Sequence, residues 1–159
     1  MVAMRKGQAF EVFRLLIAAV VAGAILMVLL QILGGFVTPT QDPQKVAAQF
    51  VKDLSTYGGT KVSDPITFKK NTTIDLGAVS REAAVPEDCV TGAVAGAIRN
   101  KFQVSGDLIN YVGSANYIAK VWVRCAGTDK SISLPDGTPV SKPNCQSSDI
   151  WCVVAIIPR

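Results

Sequence analysis

Histidine is absent from all 159 residues. Its absence removes the imidazole on which the usual Ser-His and Cys-His nucleophile arrangements depend. The four cysteines, Cys89, Cys125, Cys145 and Cys152, include no C-x₂-C pair, so the common zinc frameworks are excluded as well. Neither a G-x-x-x-x-G-K-[ST] nor a G-x-G-x-x-G phosphate loop occurs. No run of basic residues interleaves with aromatics, and Lys69-Lys70 is the only basic pair beyond residue 38. A nucleic-acid partner is therefore not expected, despite a formal charge of +4. Acidic residues such as Asp42, Asp75, Asp88 and Asp136 fall in cap or turn contexts, not as a paired-carboxylate site. These absences predict a chain that is not an enzyme and holds neither metal nor cofactor.

Charge is also missing from one long stretch. Leu15 to Val37 carries no charged residue, and residues 15–30 read LLIAAVVAGAILMVLL. Crossing a bilayer's hydrocarbon core takes about 20 apolar residues at about 1.5 Å rise each. A core helix of a soluble domain would keep a polar face, and this segment has none. Arg5, Lys6 and Arg14 precede the run, whereas the first charge after it is Asp42. The positive-inside rule then predicts a cytoplasmic N-terminus and an extracellular residue 38–159 portion. All four cysteines lie in that outer portion, where an even count points to two disulfides in an oxidising compartment. A cleaved secretory signal would need a shorter apolar core and an A-x-A-like site, and Gly34-Gly35-Phe36-Val37 is not one.

Arg5-Lys6-Gly7-Gln8-Ala9-Phe10-Glu11, running directly into the apolar stretch, resembles the class III signal peptide of archaeal type IV pilin-like proteins. The resemblance covers Arg5 to Phe36. It implies removal of a leader, residues 1–7, by a prepilin-type signal peptidase cutting between Gly7 and Gln8. It further implies that the helix of residues 8–37 bundles with copies of itself into a helical filament on the cell surface. Many type IV pilins carry glutamate at the fifth position of the mature chain, whereas Glu11 would be the fourth here. A carboxylate at this depth needs a partner, and two are available: Arg14 at i+3, or the new amino terminus of a neighbouring subunit. Ala18/Ala22 and Ala19/Gly23 are small-xxx-small pairs that permit close helix approach. Gly34-Gly35 and then Pro39 should end or kink the helix, separating the span from the outer portion.

For residues 38–159 the pattern predicts a small antiparallel-sheet domain with one or two helices, giving an α+β fold. Asp42-Pro43 is a helix start, with Val46, Phe50, Val51 and Leu54 on one stripe and Gly58 as the stop, a helix of about 43–57. Pro65 to Lys70 and Thr72 to Val79 read as a hairpin around Asn71, and Asn71-Thr72-Thr73 matches the N-glycosylation acceptor pattern. Pro86 to Lys101 reads as a helix. Ala115 to Ala126 alternates like a half-buried strand, and Ile150 to Ile157, apolar on both faces, reads as a central one. Trp122 and Trp151 are expected to be core or interface fillers. Of the three connectivities open to four cysteines, sequence proximity favours Cys145–Cys152, which leaves Cys89–Cys125.

Overall fold

A computed structural model describes residues 5–34 and 41–159. The chain divides into two compact units, Met1–Pro39 and Thr40–Arg159. In the first, helix α1 runs from Arg5 to Gly34 over 30 residues. Its Leu, Ala and Met residues are good helix formers, and no proline interrupts them. Gly34 is the last residue described before residue 41, so the break expected at Gly34-Gly35 and Pro39 falls outside the described residues.

The second unit opens with α2 (Pro43–Leu54). The Asp42 carboxylate accepts from the Gln44 N–H at 3.1 Å, and Pro43 takes the first turn, where no N–H is needed. The helix buries Ala47, Ala48, Val51 and Leu54, a stripe displaced from the expected one because Val46 and Phe50 are only half-buried. Gly58, at φ +73°, donates to the Leu54 carbonyl and turns the chain into a strand, β1 (Gly59–Val62). Both β1 and β2 (Ile66–Phe68) pair antiparallel with the long strand β7 (Tyr117–Ala126). Between them Pro65 has no N–H to give. The buried Ser63 hydroxyl beside it accepts from the Val121 N–H at 2.9 Å and donates to the Asp64 carbonyl at 2.7 Å.

The expected hairpin about Asn71 does not form. β2 pairs with β7, whereas β3 (Thr73–Asp75) pairs with β6 (Leu108–Tyr111) in a second sheet. The predicted strand through Val79 stops at Asp75, whose carboxylate accepts from the Ala78 N–H at 3.1 Å and caps α3 (Leu76–Ala83). Capping chemistry thus overrode the apolar pattern.

Pro86 to Lys101 is not a helix. It forms a 3₁₀ turn (Glu87–Cys89), strand β4 (Val90–Val94) and a second 3₁₀ turn (Gly96–Ile98). The β-branched Val90, Thr91 and Val94 suit a pleated surface, and Gly92 is required by packing. A Cβ there would stand 2.8 Å from Leu76 Cδ1 and 3.1 Å from Ile109 Cδ1, both on buried side chains. β4 runs parallel to β10 (Trp151–Pro158), so the main sheet is mixed, not antiparallel as expected. Its order is β1-β7-β10-β4, with β2 beside β7. β10 is indeed central, paired on both edges and buried on both faces.

One face of this sheet, carrying Val121, Val123, Val154 and Ile156, shares a core with α2, α3 and the small sheet β3-β6-β5, where β5 is Phe102–Ser105. Phe68 and Phe102 meet edge to face there, ring centroids 5.0 Å apart. The other face carries Trp122, Trp151, Val153 and Ala155, and it is covered by Ile132 and Leu134 from the segment between β7 and β10. That segment holds the hairpin β8 (Ser131–Ser133) and β9 (Pro139–Ser141). Both tryptophans are core fillers beneath this cover.

The disulfides pair Cys89 with Cys145 and Cys125 with Cys152, correcting both predicted bonds. Period-two geometry explains the error. Cys125 and Cys152 stand opposite each other in the β7–β10 register and point into the helix-side core. Cys89 and Cys145 belong to the covered face, so Cys145 lies on the wrong side of the sheet to reach Cys152.

Candidate functional site

Two features of the described residues stand apart from an ordinary folded surface. The first is α1. Its Glu11–Leu29 stretch of 19 residues is long and apolar enough to cross a membrane by length and composition, and none of it is buried. At about 1.5 Å per residue it extends roughly 28 Å, close to a hydrocarbon core of about 30 Å. Large apolar side chains from Val12 to Leu29 project all round this helix, with Leu15 at 71% exposure. Burying each would be worth about 1.5–3 kcal/mol, so water is a poor medium for this surface.

Gly7 and Gln8, with Arg5 and Lys6, lie on the helical backbone at the start of α1. Glu11 and Arg14 follow three residues apart, both exposed. Ala18, Ala19, Ala22 and Gly23 are exposed as well, and a Cβ added at Gly23 would meet nothing within 4 Å. Here the helix surface is low. Further along, Ala24, Ile25, Val28 and Leu29 line a shallow, wholly apolar hollow of about 280 Å³. The spacing makes Ala18/Ala22 and Ala19/Gly23 neighbours one turn apart, as the i,i+4 rule requires.

The second feature was not foreseen from sequence. A groove of about 740 Å³ opens between β4, β5 and the β8–β9 hairpin. Its walls mix apolar Phe102, Val104, Val112 and Val140 with the hydroxyls of Thr138 and Ser141, and Arg99 is the one charged residue lining it. The wall formed by the hairpin is fixed by Asp136, which accepts from the Gly96 N–H at 2.6 Å and the Thr138 N–H at 2.9 Å. The same covering segment is tied a second time. Asp88 accepts from the Gln146 N–H at 3.1 Å and the Ser147 hydroxyl at 3.0 Å, beside the Cys89–Cys145 bond. The turn context of Asp136 was legible; its carboxylate's reach to Gly96, 40 residues earlier, was not.

These bonds hold both carboxyls below their ordinary range. Gln146 and Ser147 dominate for Asp88, and Thr138 and Gly96 for Asp136. A depressed folded pKa gives stability that is complete above the unfolded value of about 3.9 and lost as pH falls through the lower folded value. Acidification below about pH 4 is therefore expected to loosen the cover and red-shift the emission of Trp122 and Trp151 beneath it. In Asp88→Asn/Asp136→Asn the acid step should disappear, because the cover is already loosened at neutral pH; an unchanged step would refute the assignment.

Among the described residues no three His, Cys, Asp or Glu side chains gather into a metal-binding group. Asn71, the predicted acceptor, is exposed on the turn between β2 and β3. No family model, curated protein or solved structure matches this chain.

Proposed function

We propose that the chain is a non-enzymatic, pilin-like structural subunit that polymerises through α1 into an extracellular filament for adhesion, motility or transfer. The observation carrying this reading is the bare apolar surface of Glu11–Leu29 preceding a separately folded, disulfide-bonded unit. In the membrane, lipid covers that surface; in a filament, the same helices of neighbouring copies cover it. Arg5, Lys6 and Arg14 hold the N-terminus in the cytoplasm, which leaves the cysteine-bearing unit outside, where its disulfides persist.

A prepilin-type signal peptidase cutting between Gly7 and Gln8 would remove Arg5 and Lys6, the charges that oppose withdrawal from the bilayer. It would also create an amino group three residues before Glu11. In a filament core this amine of one subunit and the Glu11 carboxylate of the next would relieve each other's burial, beside Arg14 at i+3.

The mass of native chains tests this. Sheared surface filaments should contain chains that begin at Gln8. Intact chains beginning at Met1, confined to the membrane fraction, would defeat the filament reading. The groove beside Arg99 favours one alternative, a membrane-anchored binding module or minor pilin that displays the same unit singly.

A further inference from the structure

We propose that Asn71 is an N-glycosylation site, accepting an oligosaccharide from a polyprenyl phosphate- or pyrophosphate-linked donor; this rests on the export of residues 38–159 argued above. The acceptor pattern Asn71-Thr72-Thr73 is short, so its place in the fold has to carry the argument. It occupies the turn between β2, which belongs to the main sheet, and β3, which belongs to the small one. Lys69, Lys70, Asn71 and Thr73 are all exposed. The turn is closed by its neighbours: the Thr72 N–H donates to the Lys69 carbonyl at 3.0 Å, and the Lys69 N–H donates to the Thr72 hydroxyl at 3.1 Å. The Asn71 carboxamide takes no part in these bonds and is left at the surface.

Conformation alone accounts for part of this choice. At φ +66° Asn71 occupies the left-handed region, which Asn tolerates but Gly enters at less cost. The hydroxyl two residues on has a role in the folded domain too, donating to Asn110 Oδ1 at 3.0 Å across the β3–β6 pair. That bond uses the hydroxyl's proton and leaves its lone pairs free to accept, and Thr73 is exposed, so the folded turn still presents it. In the transfer, Asn71 Nδ2 attacks the anomeric carbon of the donor sugar. A C–N bond forms, the C–O bond to the carrier phosphate breaks, the phosphate leaves with the electron pair, and the amide loses one proton. No oxidant or reductant is needed. None of the residues lining the groove lies in this turn.

The test uses the full chain isolated from the cells that make it. Trypsin releases a peptide beginning at Lys70 or Asn71 and ending at Arg81, and its mass should be raised by whole hexose or N-acetylhexosamine increments. Asn71→Gly, which keeps the turn, and Thr73→Val should abolish the increment, while Thr73→Ser should retain it. Protease added to intact cells separates the two premises. An unmodified peptide from chains that the protease reaches overturns glycosylation and leaves export standing. Chains that it cannot reach overturn export, and this inference with it.

Discussion

Replacing Cys89 and Cys145 together by alanine is expected to red-shift the tryptophan emission at neutral pH, whereas replacing Cys125 and Cys152 is expected to leave it unchanged. The bonds close loops with sequence separations of 56 and 27 residues. By the chain-entropy model their stabilisations are about 4 and about 3.5 kcal/mol, too close to distinguish them. Location does distinguish them. Cys125–Cys152 links strands already joined by a ladder of backbone hydrogen bonds, so its loss lowers global stability and exposes nothing in the native state. Cys89–Cys145 holds an irregular stretch, residues 142–150, against the face that carries both tryptophans. Without it the cover rests on Asp88, Asp136 and two buried side chains, Ile132 and Leu134. Denaturant titration of the full chain in detergent, read by tryptophan emission, should show a separate early transition in the first variant only. A single cooperative transition in both, with native emission beforehand, would mean that the cover does not depend on the bond.

How far the fold could be read from sequence follows one physical line. Features set by local chemistry were legible: the uninterrupted apolar run that makes α1, the Asp42-Pro43 start of α2, the two-sided apolarity of Ile150 to Ile157. Features set by what lies across the sheet were not. Val90 to Val94 carries a helix-like spacing of small residues, and only its partner across the sheet, β10, together with Leu76 and Ile109 against Gly92, shows it to be a strand. Asp75 ends a strand because an N–H three residues on needs an acceptor, and that cue competes with an equally plausible apolar alternation. Cysteine pairing failed for a related reason. Cys145 and Cys152 are close in sequence, yet the irregular stretch carrying Cys145 packs on the covered face while Cys152 of β10 points to the other, and proximity along the chain says nothing about faces. The groove was invisible because its walls come from β4, β5 and β9, segments that share no local signal.

The substitution Ala19→Leu/Gly23→Leu is expected to abolish filaments while leaving the chain in the membrane. Neither change harms the single subunit. Ala19 is exposed, an added Cβ at Gly23 meets nothing within 4 Å, and leucine is a better helix former than glycine. Insertion should be strengthened if anything, since leucine favours the hydrocarbon by roughly 0.5 kcal/mol per residue. What the two leucines remove is the low surface that lets helix backbones approach each other. In lipid this approach is driven by packing, because the chains around it are as apolar as the helix itself. A loss of about 1.4 kcal/mol per contact is tenfold in affinity, and a polymer repeats that loss at every subunit. Sheared filament should therefore fall by at least about tenfold, with the membrane-bound amount of chain unchanged and the emission of Trp122 and Trp151 native. A control on the opposite helix face, Val21→Leu/Ala24→Leu, should retain filaments. An anchor that displays its outer unit singly is indifferent to both variants, so filaments that persist in Ala19→Leu/Gly23→Leu would remove the small-residue stripe from the assembly interface.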